Sequence, residues 1–216
     1  MISKNFLKRA QTSLFLILLS FLMIKYDFVS IYVVIIFGVL SFLEFLEISK
    51  KIFKQKKYIY ISNIFFMFYL FTFCILFYIF LNFIHLKIIL YILIFGCVAS
   101  DIGGFIFGKI FGGKKLTKIS PNKTYSGAIG SIFLTCITIS SLTFLFTNEF
   151  SIFILLLSII TSLGCQLGDL FFSYLKRKAK IKDTGKILPG HGGVLDRVDG
   201  ILFGVPLGFF LLILIS

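Results

Sequence analysis

The stretch Lys180–Gly200, KIKDTGKILPGHGGVLDRVDG, gathers three of the chain's nine acidic residues and one of its two histidines into a single short segment. Almost everything around it is apolar. The 216-residue chain is 58% hydrophobic and 14% charged, with a mean hydropathy of +1.04. No water-soluble domain averages so high. The chain therefore lies in a membrane, and the quoted stretch is one of the few places where it meets water.

Crossing the hydrocarbon takes roughly 20 apolar residues per helix. Apolar runs occur at about Ala10–Ile24, Phe28–Leu46, Tyr58–Phe80, Ile84–Phe107, Ser126–Thr147, Ser151–Tyr174 and Gly200–Ile215. They predict an all-α polytopic bundle of about seven transmembrane helices in one membrane domain, 1–216. Within it, 1–83 are N-terminal helices and 84–216 carry the chemistry. The first run follows Lys4, Lys8 and Arg9 as a signal peptide would, but FLMIKYDF (Phe21–Phe28) has no small-residue cleavage site, so it is kept as a span. No repeat of 20 to 50 residues recurs, as a solenoid or a duplicated transporter would require.

The net charge of +13 falls in loops rather than on a nucleic-acid-binding face. Of the 22 Lys and Arg, 20 lie at the N-terminus or in the segments 50–57, 109–123 and 176–197, and only Lys25 and Lys87 fall on the other side. The positive-inside rule then places the N-terminus and these three loops in the cytoplasm. Membrane topology accounts for the charge, and no nucleic-acid partner is expected. Cys74, Cys97, Cys136 and Cys165 stand singly in apolar runs, without the spacing of a disulfide framework or a zinc site.

Glycines recur every four residues at Gly104, Gly108 and Gly112 and again at Gly200, Gly204 and Gly208. Residues four apart share a helix face, so each set predicts a smooth stripe for close helix packing.

An acid inside the membrane costs about 2.5 to 3.5 kcal/mol at a helix centre on insertion scales, so each needs a reason. Asp101 and Asp169 both need one. In CQLGDLFFSYLKR (Cys165–Arg177), the residues Gln166, Asp169, Ser173 and Lys176 fall on one helix face, a polar stripe running toward the basic loop. That loop adds Lys182, Asp183 and Lys186, then Asp196, Arg197 and Asp199. Hard carboxylate oxygens beside cations are what a Mg²⁺–polyphosphate ligand needs: the acids hold the metal, and Lys and Arg neutralise the remaining phosphate oxygens. Pro189–Gly193, PGHGG, offers backbone that can approach an anion closely. A second basic loop, GGKKLTKISPNKTYSGAIG (Gly112–Gly130), clusters Ser120, Asn122, Lys123 and Thr124 just before an apolar run, which predicts a helix N-terminus there with its free N–H groups.

These residues carry a resemblance. SYLKRKAKIKDTGKILPGHGGVLDRVD (Ser173–Asp199) resembles the conserved segment of the CDP-diacylglycerol synthases, also called phosphatidate cytidylyltransferases. The likeness extends to GDL at Gly168–Leu170, to SDIGGFIFGKIFG at Ser100–Gly112 and to KISPNKTYSGAIG at Lys118–Gly130, while the first 80 residues match only in hydropathy. At Lys123-Thr124-Tyr125-Ser126-Gly127 the chain departs from the Lys-Thr-Trp-Glu-Gly usual in such proteins.

The resemblance implies an enzyme that joins CTP to phosphatidic acid, giving CDP-diacylglycerol and pyrophosphate. It implies Mg²⁺ shared by Asp169 and Asp196, with room for a second, monovalent or divalent, cation. The expected catalytic set is Asp169, Asp196, Lys182, Arg197 and Asp199. The expected substrate-binding set is Asp101, Ser120, Asn122, Lys123, Thr124, Ser173, Lys176, Arg177, Asp183, His191, Gly192 and Gly193. His191 is equally explained by a role as proton carrier or by the shape of its glycine-flanked backbone. The lipid bilayer is a partner in any case, and a homodimer is implied by the resemblance and permitted by the glycine stripes. The expected location is the inner membrane, with the site facing the cytoplasm. Two other activities fit the same ingredients, a CTP-dependent lipid kinase and, less well, an anion carrier.

Overall fold

The computed structural model describes residues 4–117, 119–120, 123–185, 187–189 and 192–215. Among them are seven α-helices: α1 (Lys4–Lys25), α2 (Asp27–Ile52), α3 (Lys56–Asn82), α4 (Ile84–Phe111), α5 (Tyr125–Thr147), α6 (Ile152–Lys178) and α7 (Leu195–Ile215). Each coincides with one of the seven apolar runs. Six of them, α2 to α7, are long and apolar enough to cross a membrane, and the apolar part of α1 described, Gln11–Lys25, is shorter. The chain is a multi-pass, all-helical membrane protein.

By contacts the chain divides into two compact units, Met1–Phe83 with Leu175–Val198, and Ile84–Tyr174 with Asp199–Ser216. In the first unit a single residue, Tyr26, separates α1 from α2, and three separate α2 from α3. Ser30 donates to Met23 O at 2.6 Å across the first turn. Phe45 of α2 stacks on Phe66 of α3 with ring centroids 4.0 Å apart, and Ile48, Leu70, Phe77, Val194 and Leu195 are buried. The segment after α6 thus belongs by its packing with the N-terminal helices.

The second unit is built on small residues. A Cβ on Gly103 would stand 2.5 Å from Gly130 O, and one on Gly104 2.8 Å from Ser131 Oγ, so α4 and α5 meet nearly backbone to backbone. Ser131 donates to Ser100 O at 2.8 Å and Thr135 to Gly96 O at 3.3 Å along that seam. On α7, Cβ atoms at Gly200, Gly204 and Gly208 would strike Cys165, Cys97 and Thr161 at 2.5, 2.6 and 2.8 Å. The second stripe is filled within the unit, as the four-residue spacing predicts.

The first stripe is one residue too long. Gly112 lies beyond α4 with φ +57°, and its N–H reaches back to Gly108 O at 3.1 Å. It is the left-handed residue that ends the helix, a conformation glycine adopts without a Cβ penalty, and Gly113 follows at φ +102°. A Cβ there would meet nothing within 4 Å, so backbone shape, and no helix contact, is what glycine supplies at these two positions.

Candidate active site

In the first unit the quoted polar segment is a knot of backbone donors gathered by two carboxylates. The chain leaves α6 through Lys180 at φ 56°, with Ile181 N–H bonded to Lys176 O at 3.0 Å. Leu188 N–H then meets Gly192 O at 3.0 Å, and Gly192 takes φ +87°. Any side chain there would be strained, and its Cβ would also stand 3.0 Å from Asp196 Oδ2 and 3.4 Å from Asp183 Cβ. Glycine is required at 192 by both conformation and space.

The start of α7 follows at once, and its exposed N–H groups need acceptors. Asp196 Oδ2 takes Gly193 N–H at 3.1 Å and Thr184 N–H at 2.8 Å. Its other oxygen accepts from Lys176 Nζ at 2.6 Å, an ion pair whose side chains are only 8% and 14% exposed. A second carboxylate, Glu44 of α2, takes Val194 N–H and Leu195 N–H, each at 2.9 Å, and the Thr184 hydroxyl at 2.7 Å. Negative charge at a helix N-terminus is favourable, so the two acids stabilise the turn electrostatically as well as by hydrogen bonding.

Glu44 was not among the expected site residues. It lies inside the second apolar run, where the cost of an intramembrane acid applies as much as to Asp101 and Asp169. That signal points to the end of the run, where Glu47 follows three residues later, and does not by itself tell the two acids apart.

In the second unit the loop from Gly112 to Thr124 folds back on itself: Leu116 N–H bonds Lys123 O at 2.7 Å and Tyr125 N–H bonds Lys114 O at 3.1 Å. Thr124 is the N-cap of α5, accepting Gly127 N–H at 3.1 Å, so the helix begins where the polar cluster predicts. Ser126 hydroxyl lies 2.9 Å from Thr124 Oγ1 and donates to Gly112 O, tying the start of α5 to the end of α4. Ser126, one of the two residues that depart from the resembled pattern, thus serves the loop's closure. Folded in this way, the loop delivers Lys123 to Asp169 of α6 as an ion pair, the partners 25% and 33% exposed.

Gln166, on the same face of α6, donates to Ala128 O at 3.2 Å and to Ser162 Oγ at 3.3 Å, so this part of the polar stripe is an interhelical seam. Gly168, beside Asp169, has no room for a Cβ because Asp199 O of α7 occupies the place. Asp199 itself is 7% exposed and accepts Gly200 N–H at 2.9 Å. Asp101 is exposed on α4, where Cys165 Sγ donates to it at 3.6 Å.

The expected residues thus fall into two groups. Asp183, Lys176, Asp196, Gly192 and Gly193 come together in the first unit, with Lys182, Arg177 and Arg197 exposed on the same segment. Asp169, Lys123, Thr124, Ser120, half-buried Ser173 and Asp199 belong to the second, as does Asp101. Asn122 and His191 lie outside the described residues. Lysines on two carboxylates, glycine-shaped backbone and helix N-termini are equipment for holding phosphate groups.

Comparison with known proteins decides the family. The profile of the cytidylyltransferase family matches residues 1–215. The chain belongs to that family. Among curated relatives it is similar to the phosphatidate cytidylyltransferase of Rickettsia bellii, 43% identical over 56% of each chain. It is also similar to those of Helicobacter pylori strain J99 and Staphylococcus haemolyticus, each 48% identical, over 50% and 53% of this chain and 40% and 45% of theirs. The chain thus spans about half the length of the curated relatives it matches.

Among the described residues no three His, Cys, Asp or Glu side chains gather as ligands of a metal ion. That is compatible with Mg²⁺, which ordinarily takes one or two carboxylates and fills its octahedron with substrate phosphate oxygens and water. Asp196 has the lone pairs for it, since two carboxylate oxygens offer about four acceptor sites and three are used here.

Proposed function

We propose that this protein condenses CTP with phosphatidic acid to give CDP-diacylglycerol and pyrophosphate. It would do so in the inner (cytoplasmic) membrane, with the segments 112–124 and 179–197 on the cytoplasmic side, where CTP is dissolved. The observation that carries the reading is the family match over residues 1–215. The lysine–carboxylate pairs support it, because the chemistry calls for such groups.

A lipid phosphate oxygen attacks the α-phosphorus of CTP. The new P–O bond forms as the bond from the α-phosphorus to the bridging oxygen breaks, and pyrophosphate leaves with that electron pair. The lipid phosphate is already anionic at neutral pH, so the reaction needs alignment and charge neutralisation more than a strong base. Asp169 and Asp196 are the proposed ligands of Mg²⁺, which when bound supplies Lewis-acid polarisation of the α-phosphate. Lys123, Lys182 and Arg197 are assigned to the pyrophosphate oxygens. Lys176 keeps the Asp196 carboxylate oriented. Glycines 192 and 193 leave room for the Asp196 and Glu44 carboxylates that hold this segment. The lipid's acyl chains remain in the bilayer that the apolar helices already occupy.

The test is the product. Purified full-length protein in detergent, supplied with Mg²⁺, CTP and phosphatidic acid, is expected to yield a lipid with the mass of CDP-diacylglycerol and one pyrophosphate per turnover. Release of CDP with a newly phosphorylated lipid would instead mark attack at the γ-phosphorus, and a kinase.

A further inference from the structure

We propose that Glu44 is a positioning residue for Asp196: reaching from α2, it caps the first turn of α7 and clamps that turn to Thr184, so that the Asp196 carboxylate stands where Lys176 meets it. The inference rests on the reading of Asp196 as a site residue.

Glu44 is 4% exposed and sits in a helix that spans the membrane. A carboxyl group buried in that place needs hydrogen-bond partners. It has three, from Val194 N–H, Leu195 N–H and the Thr184 hydroxyl, and all three donors are neutral. Two of them are the free N–H groups at the start of α7, where the residue just before the helix is Val194, whose side chain cannot accept. The capping that a local Ser, Asp or Asn would supply comes instead from a different helix.

The clamp also accounts for two glycines. A Cβ on Gly185 would stand 2.5 Å from Glu44 Oε1, and one on Gly193 would run into both the Glu44 carboxylate and Thr184 Oγ1. Those glycines make room for the buried acid as well as shaping the turn. Thr184 completes the linkage: its hydroxyl goes to Glu44 and its N–H to Asp196, so one residue ties the two carboxylates to a common frame.

Glu44→Gln keeps the shape but replaces one acceptor oxygen with an NH₂ group, which faces donors that already point inward. At least one of the three hydrogen bonds must then be lost.

Hydrogen–deuterium exchange of the full chain in lipid nanodiscs reads the clamp without needing turnover. In Glu44→Gln the Val194 and Leu195 amides are expected to exchange about 10-fold faster, whereas Glu47→Gln, an exposed acid one turn on, leaves them unchanged. Turnover of CTP and phosphatidic acid reads the positioning: kcat is expected to fall about 10- to 100-fold while KM for CTP stays within about twofold, because the displaced group matters in the transition state. If Glu44→Gln does not fold, Thr184→Val removes one donor alone and is expected to give the same pattern at about a third of the size or more.

Unchanged exchange in a folded variant overturns the clamp. Faster exchange with unaltered kcat overturns the positioning role. A wild-type protein that makes no CDP-diacylglycerol overturns the proposed function instead, and the exchange arm still decides whether Glu44 caps α7.

Discussion

Lys176 Nζ lies 2.6 Å from Asp196 Oδ1, joining the last turn of α6 to the first turn of α7 across the polar segment that separates them. Asp196 holds two backbone N–H groups with its other oxygen, so three of its roughly four acceptor sites serve to fix the loop.

Removing Lys176 takes from that largely buried carboxylate the cation that lies 2.6 Å from it. Breaking a fully buried pair costs about 3 to 5 kcal/mol, and the residual exposure here reduces that to about 2 kcal/mol. Lys176→Met is therefore expected to lower the thermal midpoint by several degrees and turnover by at least about 10-fold. Lys176→Arg, which keeps the charge, is expected to retain most of the stability. A Met variant as stable and active as the wild type would show that the pair has no role.

The Lys123–Asp169 pair separates structure from chemistry. Its partners are a quarter to a third exposed, so the pair contributes no more than about 1 kcal/mol to stability. Lys123→Met is thus expected to leave the denaturation midpoint within a few degrees. If Lys123 binds phosphate oxygens as proposed, kcat/KM for CTP falls far more, by about 100-fold. Equal small losses in stability and in kcat/KM would reduce Lys123 to a structural lysine.

Much of this was legible in the sequence, because the signals are local. Runs of apolar residues of membrane length specify the helices, and a threonine before an apolar run specifies the start of α5. The four-residue glycine spacing specifies the packing face of α7. The same counting fails at Gly112, where a Gly-Gly pair following Phe111 ends the helix instead of extending its stripe. Glu44 was missed for a different reason. It and Glu47 are three apart near the end of one apolar run, and nothing local tells the buried acid from the exposed one. Only the return of the chain at Thr184, 140 residues later, does so. The Lys123–Asp169 pairing, 46 residues apart, was hidden likewise, although each residue had been singled out.

Glycine packing in the second unit makes a prediction about folding alone. At Gly103 an added Cβ would meet backbone, Gly130 O at 2.5 Å, which cannot rotate away. At Gly38 it would meet only the Cys74 Sγ at 3.3 Å, a side-chain atom that can yield. Gly103→Ala is expected to cost about 2 to 3 kcal/mol through overpacking, and Gly38→Ala less than about 1 kcal/mol. Thermal unfolding in one detergent ranks the two, and a reversed order would contradict the α4–α5 seam.

Thr124 tests whether the loop's local order matters to the site. Its hydroxyl caps α5 through Gly127 N–H and sits beside Ser126, while the next residue upstream is Lys123. Thr124→Ala is expected to cost about 1 kcal/mol of stability, and Thr124→Ser to restore it, since the capping oxygen is what counts. Loss of activity in the Ala variant beyond that small destabilisation, again rescued by Ser, would indicate that the cap sets the reach of Lys123.

Metal dependence tests the two aspartates themselves. Chelation is expected to abolish turnover, and added Mg²⁺ to restore it, because the α-phosphate must be polarised as the lipid phosphate approaches. Asp169→Asn and Asp196→Asn each keep the size of the side chain but remove a hard anionic ligand. Each is expected to raise the Mg²⁺ concentration for half-maximal rate at least about 10-fold and to lower the maximal rate at least about 100-fold. A general loss of fold would not mimic this, since the Mg²⁺ requirement is read only on the fraction that still turns over. Should both amides support the wild-type rate at the wild-type Mg²⁺ concentration, neither aspartate is a ligand, and the metal, if the reaction uses one, is held by the substrate phosphates.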